Sequence, residues 1–383
     1  MFEIIILCLG IFIMSFFWWS KASVPFEVPK VIFFQWFVRL LVLIFAVSFF
    51  SKKRIWKIDK KLLIPVLMFA IWATIVSVLG SDIPKSFVGN FYRRDGLITL
   101  YELAGFSLLV SYFWNEKFKK IISLTLFSSS VLLSFLALVE IVSHRFGLGA
   151  AATFGNPVFL AGYLAVSLPF GFYLFSLTKN KNYLLGLSAQ ILTIIMIGAV
   201  SSILTLIVFA VIYLFFFQKQ IIKLILIPIL IGVSFVVVLF WSTYHFYLKN
   251  PKTLVAEGRE RIFQSVIRGT LKKPISGYGW ANVDYAFDAG VWPMKFGSDV
   301  YIDKAHSGLL EILATTGIPG LVIYLYFLFV FYKELISRYR KSNDKSWNFS
   351  LLSAVSLYFF HSQTNVISIM EELILWLILG IVL

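Results

Sequence analysis

Acidic side chains and cysteine are scarce in this chain. Of 383 residues only 19 are Asp or Glu, four are His and one is Cys. The lone Cys8 excludes an internal disulfide and a cysteine metal cluster. Charged residues of both signs reach only 14%, against 60% hydrophobic, and the mean hydropathy is +0.88. A soluble chain of this size cannot bury so much apolar side chain. Apolar runs of spanning length, about 17–25 residues, recur along the sequence. The chain therefore reads as an all-α polytopic membrane protein, because a backbone deprived of water must satisfy itself as helix. The charge that is present is mostly basic, with a net +15. In a membrane protein such an excess is first a matter of orientation, and no nucleic-acid partner is expected. Met1–Trp19 resembles a signal sequence, but no small-residue cleavage site follows, so it is expected to remain as a first span.

Twelve spans are expected, at roughly 3–19, 31–50, 62–80, 97–114, 121–142, 157–178, 183–200, 203–217, 221–243, 309–332, 348–362 and 367–383. Only Ser201-Ser202 divides the seventh from the eighth. Loops after even-numbered spans are basic, with Lys52, Lys53, Arg54, Lys117, Lys119, Lys179, Lys219, Arg338 and Arg340 among them. The short loops after odd-numbered spans hold fewer: Lys21, Lys30, Lys85, Arg93, Arg94 and Arg145. The positive-inside rule then puts both termini in the cytoplasm. Three regions result: spans one to nine (1–243), an outer loop with short amphipathic helices (244–308), and spans ten to twelve (309–383). The outer loop is itself basic, but long loops cross regardless of charge. Concentrated positive charge there suits an anionic partner such as a phosphate, or is simply a solvated basic loop.

Several constellations fall on that outer face. Asn90-Phe91-Tyr92-Arg93-Arg94-Asp95-Gly96-Leu97 sets two arginines just before a helix. Arginine grips phosphate oxygens in a fork and stays charged. Asp95 suits capping that helix or orienting Arg94; lipid-headgroup anchoring is the competing role for the pair. Asn156-Pro157 is a good helix start, with Asn156 as cap, and its outward N–H groups could also face an anion. Residues 258–268, containing Arg259, Arg261 and Arg268, are expected to form an amphipathic helix on the membrane surface. Lys272-Lys273-Pro274-Ile275-Ser276-Gly277-Tyr278-Gly279-Trp280 then breaks into a tight turn. Asp284, Asp288, Asp299 and Asp303 have no spacing that makes a calcium loop. Arg39, inside span two, is a costly charge with no role assigned by the sequence.

All four histidines, His144, His245, His306 and His361, lie on or near the outer face in this topology. A lone histidine is most often structural. His306 stands apart because a polar loop runs through it into an apolar helix, Glu311 follows one turn later, and arginines surround it. An imidazole that titrates near neutrality suits removal of a proton from a hydroxyl.

Taken in order, five segments carry a resemblance: Arg93-Arg94-Asp95-Gly96-Leu97; Phe154-Gly155-Asn156-Pro157-Val158-Phe159-Leu160-Ala161-Gly162-Tyr163; Arg259-Glu260-Arg261-Ile262-Phe263; Pro274-Ile275-Ser276-Gly277-Tyr278-Gly279; and residues 305–320, from Ala305-His306-Ser307-Gly308 to Gly317-Ile318-Pro319-Gly320. Together they resemble the O-antigen ligase superfamily, which includes O-antigen ligases, Wzy-type polymerases and bacterial protein O-oligosaccharyltransferases. The resemblance implies a glycosyltransferase of about twelve spans, GT-C-like, with a large outer loop between spans nine and ten. It would sit in the bacterial inner membrane with its site on the outer face. The resemblance also implies a glycan donor on undecaprenyl pyrophosphate, an acceptor glycolipid, glycan or protein, inversion, and neither metal nor cofactor. Carried over, His306 is the base, and Arg94, with Arg93, Arg259, Arg261 and Lys272, would hold the pyrophosphate. Asp95, Asn156, Tyr278 and Glu311 would support them. Two positions depart from the pattern: Ser202 stands where members commonly carry arginine, and Ser307 where they carry asparagine. Arg93 or Lys272 would then substitute for the missing arginine. A transporter or flippase, or an inactive scaffold, are the readings from other classes. The near absence of charge inside the spans weighs against transport.

Overall fold

The computed structural model describes residues 2–51, 56, 58–143, 150–217, 259–290 and 302–383. Those residues are mainly helical, with no strand among them. The principal helices are α1 (Phe2–Phe16), α2 (Glu27–Ser51), α3 (Lys60–Val78), α4 (Ile83–Val88), α5 (Leu97–Phe113), α6 (Lys119–Ser143), α7 (Pro157–Thr178), α8 (Asn182–Ile197) and α9 (Val200–Phe217). After them come α10 (Arg259–Thr270), α11 (Val283–Gly290), α12 (Gly308–Lys341), α13 (Lys345–Thr364) and α14 (Ile369–Val382). Helices thus stand at eleven of the expected span positions; the expected span at 221–243 lies outside the described residues. Among the described residues, five helices are long and apolar enough to cross a membrane: α2, α3, α6, α7 and α12. The helices α1, α5, α8 and α9 are apolar but shorter.

Packing distinguishes the centre of the bundle from its rim. α7 and α14 are buried along nearly their whole length, against α13, α6, α8 and α5. α2 and α3 bury one side and expose Trp36, Leu43, Val47, Ile64 and Ile71 on the other. Those exposed apolar faces are what a helix turned towards lipid should show. Two ends can be told apart. At one, Lys30 Nζ donates to Phe17 O and Thr153 O, and Ile369 N–H donates to Glu27. At the other, Lys119 pairs with Asp344, and Arg338 donates to Ile381 O and Val382 O. The loops after odd-numbered spans gather at the first end, which carries His306.

Two local expectations change, and Arg39, which the sequence left without a role, finds a partner. The break between the seventh and eighth expected spans falls at Gly198, in the left-handed region at φ 70°, and Ser201-Ser202 belong to the first turn of α9. The amphipathic helix forms as α10, but its apolar side is covered by protein: Ile262 and Val266 pack on Val283, Ala286 and Phe287. Glycines allow this contact, since a Cβ on Gly269 or Gly290 would lie 1.7 Å from a carbonyl oxygen of the facing helix. Arg39 turns to Glu102, with Nη2 3.1 Å from Oε1, and lies over the Trp36 ring.

The feature that ties loop to bundle is a break in α12. Gly317 is non-helical at φ 69°, and Pro319 has no N–H to offer. Carbonyls near the break therefore lose their helical donors, a costly state inside a bundle that excludes water. The turn after α10 repairs it. Tyr278 N–H donates to Ala314 O at 3.0 Å, Gly279 N–H donates to Thr315 O at 2.9 Å, and Ile318 N–H donates to Pro274 O at 2.8 Å. Trp72 Nε1 on α3 supplies Thr316 O at 2.8 Å. A Cβ on Gly317 would lie 2.1 Å from Ile275 O. Gly317→Ala is therefore expected to lose more than about 1 kcal/mol from backbone strain alone, with the clash added. The check is a lower midpoint of thermal unfolding in detergent.

Candidate functional site

The sutured turn carries Trp280 inwards. Its backbone N–H donates to Ser77 Oγ at 2.9 Å, and its indole N–H donates to Asp95 O at 2.8 Å. Trp280 thereby forms one wall of a cavity of about 200 Å³. Arg93, Asp95, Lys304, His306, Ser307, Glu311, Asn365, Glu27 and Glu372 also line it. Its other walls are apolar: Val31, Val66, Phe69, Leu100, Leu103, Phe327 and Leu375. A polar mouth thus opens into an apolar cleft between α2, α3, α5, α12 and α14.

Electrostatics organise the polar part around two lining cations, Lys304 and Arg93, with Arg259 held behind the wall residue Asn365. Lys304 is held between Asp95 and Glu311, 2.5 Å from Glu311 Oε1. Burial alone would lower the Lys304 amine, but Asp95 and Glu311 outweigh it and raise it above the ordinary lysine value. Burial likewise works against the Asp95 carboxylate, yet the Lys304 charge and the Asn90 N–H pull its pKa below the usual range. Arg93 Nε sits 2.8 Å from Asp303 Oδ2, and its guanidinium lies 4.9 Å from the Phe159 ring centroid. Arg259 Nη2 donates to Asn365 Oδ1 at 2.9 Å.

His306 occupies the left-handed region at φ 55°. A non-glycine residue there costs about 1–2 kcal/mol and persists only where its neighbours over-determine it. Here they do. Ala305 N–H donates to Glu311 Oε2 at 3.1 Å, and Glu311 N–H donates to Ser307 O at 2.9 Å. Ser307 does not cap α12 with its own side chain; Gln363 Oε1 accepts from Leu309 N–H at 3.1 Å and from Ser307 Oγ at 3.3 Å. The His306 imidazole makes no hydrogen bond among the described residues. Burial pushes its pKa below the ordinary histidine value, the Arg259 charge pushes the same way, and Asp303 opposes them.

The residues singled out by sequence separate in space. Arg93, Asp95, His306 and Glu311 share the cavity; Arg94 and Arg259 do not line it, although Arg259 reaches the wall residue Asn365. Arg94 is the left-handed corner of the loop, φ 53°, and its carbonyl accepts from Thr99 Oγ1. Glu311 serves Lys304 and the backbone rather than His306. Asn156 caps α7, accepting from Val158 N–H at 2.8 Å. Tyr278 is a pin, its hydroxyl donating to Gly269 O at 2.9 Å. Lys272 donates to Ala289 O, and Arg261 is not in the cavity wall. Of the aspartates, Asp284 is paired with Lys85 and Asp303 with Arg93, while Asp299 lies outside the described residues, as do His144 and His245. Sequence reasoning passed over Glu27, Lys304, Asn365 and Glu372. Glu27 carried a legible signal, an acidic residue at the head of an apolar helix; Asn365 is an ordinary amide until the fold gives it neighbours.

Lys304 is the keystone of this polar wall, since its removal leaves two partly buried carboxylates facing each other. Lys304→Ala is expected to destabilise by about 3–5 kcal/mol, read as a fall in unfolding midpoint. Restoring the charge with Lys304→Arg recovers part of that loss.

No curated protein matches the chain. Residues 183–325, which run from α8 through the turn at 274–280 and His306 to the broken first half of α12, match the family model described as O-Antigen ligase. That match, over the segment that builds one wall of the cavity, supports the assignment of this membrane protein to the O-antigen ligase superfamily.

Proposed function

We propose that the protein transfers a glycan from a polyprenyl pyrophosphate, of the undecaprenyl kind, to an acceptor hydroxyl at the outer face of the inner membrane. The observation that carries the reading is the cavity itself: an imidazole without a hydrogen-bond partner among the described residues and an arginine stand at the polar mouth of an apolar cleft. A lipid pyrophosphate has that same division of character. Its prenyl chain would lie along Val31, Val66, Leu100 and Phe327, and its phosphates would meet Arg93 and Arg259. Arginine suits this role because it binds phosphate through a planar fork and keeps its charge when desolvated.

Chemistry follows from His306. A neutral ring nitrogen accepts the proton of the acceptor hydroxyl as that oxygen attacks the anomeric carbon. The new carbon–oxygen bond forms opposite the breaking one, so configuration inverts. The electron pair of the breaking bond leaves on the pyrophosphate, where Arg93 and Arg259 stabilise it. Such a leaving group needs no proton, so one base suffices and no metal is required. The depressed pKa of His306 keeps the ring neutral, and so competent as a base, at physiological pH. Ligation to a glycolipid, polymerisation of a glycan and transfer to protein all share this step. The membrane setting and the family match fit each of them.

The test is transfer in vitro from a polyprenyl-pyrophosphate glycan. His306→Ala should lower turnover about 10²–10⁴-fold while donor binding persists. Arg93→Ala should weaken donor binding about 10- to 100-fold, whereas Arg94→Ala should change it far less. Full activity in His306→Ala refutes the base, and inhibition by EDTA that added metal reverses refutes the metal-free route. A pH profile gives a further check. Activity is lost as pH falls through the His306 pKa, and Arg259→Ala removes a charge that disfavours the imidazolium. The acid limb should therefore move to higher pH in that variant.

A further inference from the structure

Behind Arg259 lies a buried chain of polar groups that the transfer chemistry does not use. It begins at the first turn of α14. Glu371 closes a capping box there: Ser368 N–H donates to Glu371 Oε1 at 3.2 Å, and Glu371 N–H donates to Ser368 Oγ. That leaves Glu371 Oε2, 2.7 Å from Nδ1 of His361, with both side chains wholly buried. A carboxylate at Nδ1 accepts the proton on that nitrogen, and in the neutral ring this leaves Nε2 as an acceptor. Asn365 Nδ2 lies 3.2 Å from Nε2 and donates its other proton to Ser201 Oγ. With both amide protons committed, Oδ1 is the end presented to Arg259, at 2.9 Å. With the ring neutral and protonated on Nδ1, each atom along Glu371–His361–Asn365–Arg259 has one donor or acceptor role.

Two further observations show a built seat rather than a chance contact. Asn365 is the C-cap of α13, its N–H donating to His361 O at 3.0 Å, so the amide is anchored one turn from the ring it bonds. Gly162, on α7, leaves the space the ring and carboxylate occupy: a Cβ there would lie 2.4 Å from His361 Cε1 and 2.5 Å from Glu371 Oε2. Ser202 belongs to the same seat, buried and 3.5 Å from His361 Nε2.

We infer that the buried His361–Glu371 pair is a positioning device for Arg259, acting through the amide orientation of Asn365, and that it sets the pyrophosphate contact of the donor. The role of Arg259 rests on the function proposed above; the hydrogen-bond chain does not. An amide has two unlike ends nearly equal in shape. Were it reversed, Asn365 would turn an N–H towards the guanidinium, donor against donor, and release it. The ring acceptor forbids that reversal. His361, Glu371, Asn365 and Gly162 are thus positioning residues, and they do not touch the reacting atoms.

The experiment uses the full chain in detergent, with donor KM, turnover and unfolding midpoint measured on each variant. Asn365→Ala should raise donor KM about 10-fold or more. The double variant Arg259→Ala with Asn365→Ala should be no worse than Arg259→Ala alone, because one contact is removed once. Effects that multiply, or an unchanged donor KM in Asn365→Ala, overturn the proposal. His361→Leu should also raise donor KM, and Asn365→Asp should suppress that rise, since a carboxylate presents an acceptor either way round. A purely structural role predicts no such suppression. Should His361→Leu fail to fold, Gly162→Ala replaces it and is expected to raise donor KM in the same manner. Nitrogen NMR of ring-labelled histidine reads the chain without any reaction: His361 should carry its proton on Nδ1. A proton on Nε2 overturns the chain whatever the activity. Absence of transfer in the wild type, with the Nδ1 proton present, instead overturns the function proposed above and reduces the device to the positioning of Arg259.

Discussion

An interrupted helix inside an apolar bundle must find donors for the carbonyls it exposes, and that constraint governs the arrangement around α12. The break at Gly317 and Pro319 creates the need, and the turn at 274–279 meets it with its own N–H groups. Because those bonds run both ways between turn and helix, the segment between α10 and α11 is fixed against the bundle. Trp280, the residue after the turn, is thereby committed to Ser77 and Asp95. The arginine loop and the histidine loop are thus set around a common cavity, although more than 200 positions separate Arg93 from His306 in the chain.

The site shows a second economy. Its charges are arranged so that one cation, Lys304, is engaged by two carboxylates, while the guanidinium of Arg93 is hydrogen-bonded to Asp303 and that of Arg259 to Asn365. Lys304 is therefore architectural, and the arginines keep guanidinium donors to spare among the described residues. His306, whose ring feels both arginine charges, stands on a strained backbone and makes no ring hydrogen bond among the described residues. A structural histidine would be expected to resemble His361, which is buried and bonded at both nitrogens. The contrast between the two rings distinguishes a group kept available from a group kept still.

Much of this was legible in the residues, for identifiable reasons. Apolar runs of spanning length reveal helices because no other backbone is tolerated in lipid. Asn156-Pro157 announced the start of α7 because cap and proline act locally. The turn at Pro274–Gly279 announced itself through its glycines, but its purpose did not, since the carbonyls it serves belong to another helix. The amphipathic pattern of α10 correctly marked an apolar stripe and could not say whether lipid or α11 would cover it. Arg93 and Arg94 were indistinguishable as neighbours in a motif. A left-handed corner at Arg94 leaves Arg93 in the cavity wall.

By itself, the sequence determined that the chain is helical, that it is built for a membrane, and that His306 lies where a polar loop meets an apolar helix. These follow from composition and local pattern, which each residue carries with it. Only the tertiary structure decided which charges are spoken for. Lys304 against Asp95 and Glu311, Arg93 against Asp303, and the line from Glu371 to Arg259 join residues far apart in sequence. Pairing depends on distance and on the donor or acceptor role left open at each atom, and neither exists until the helices are packed.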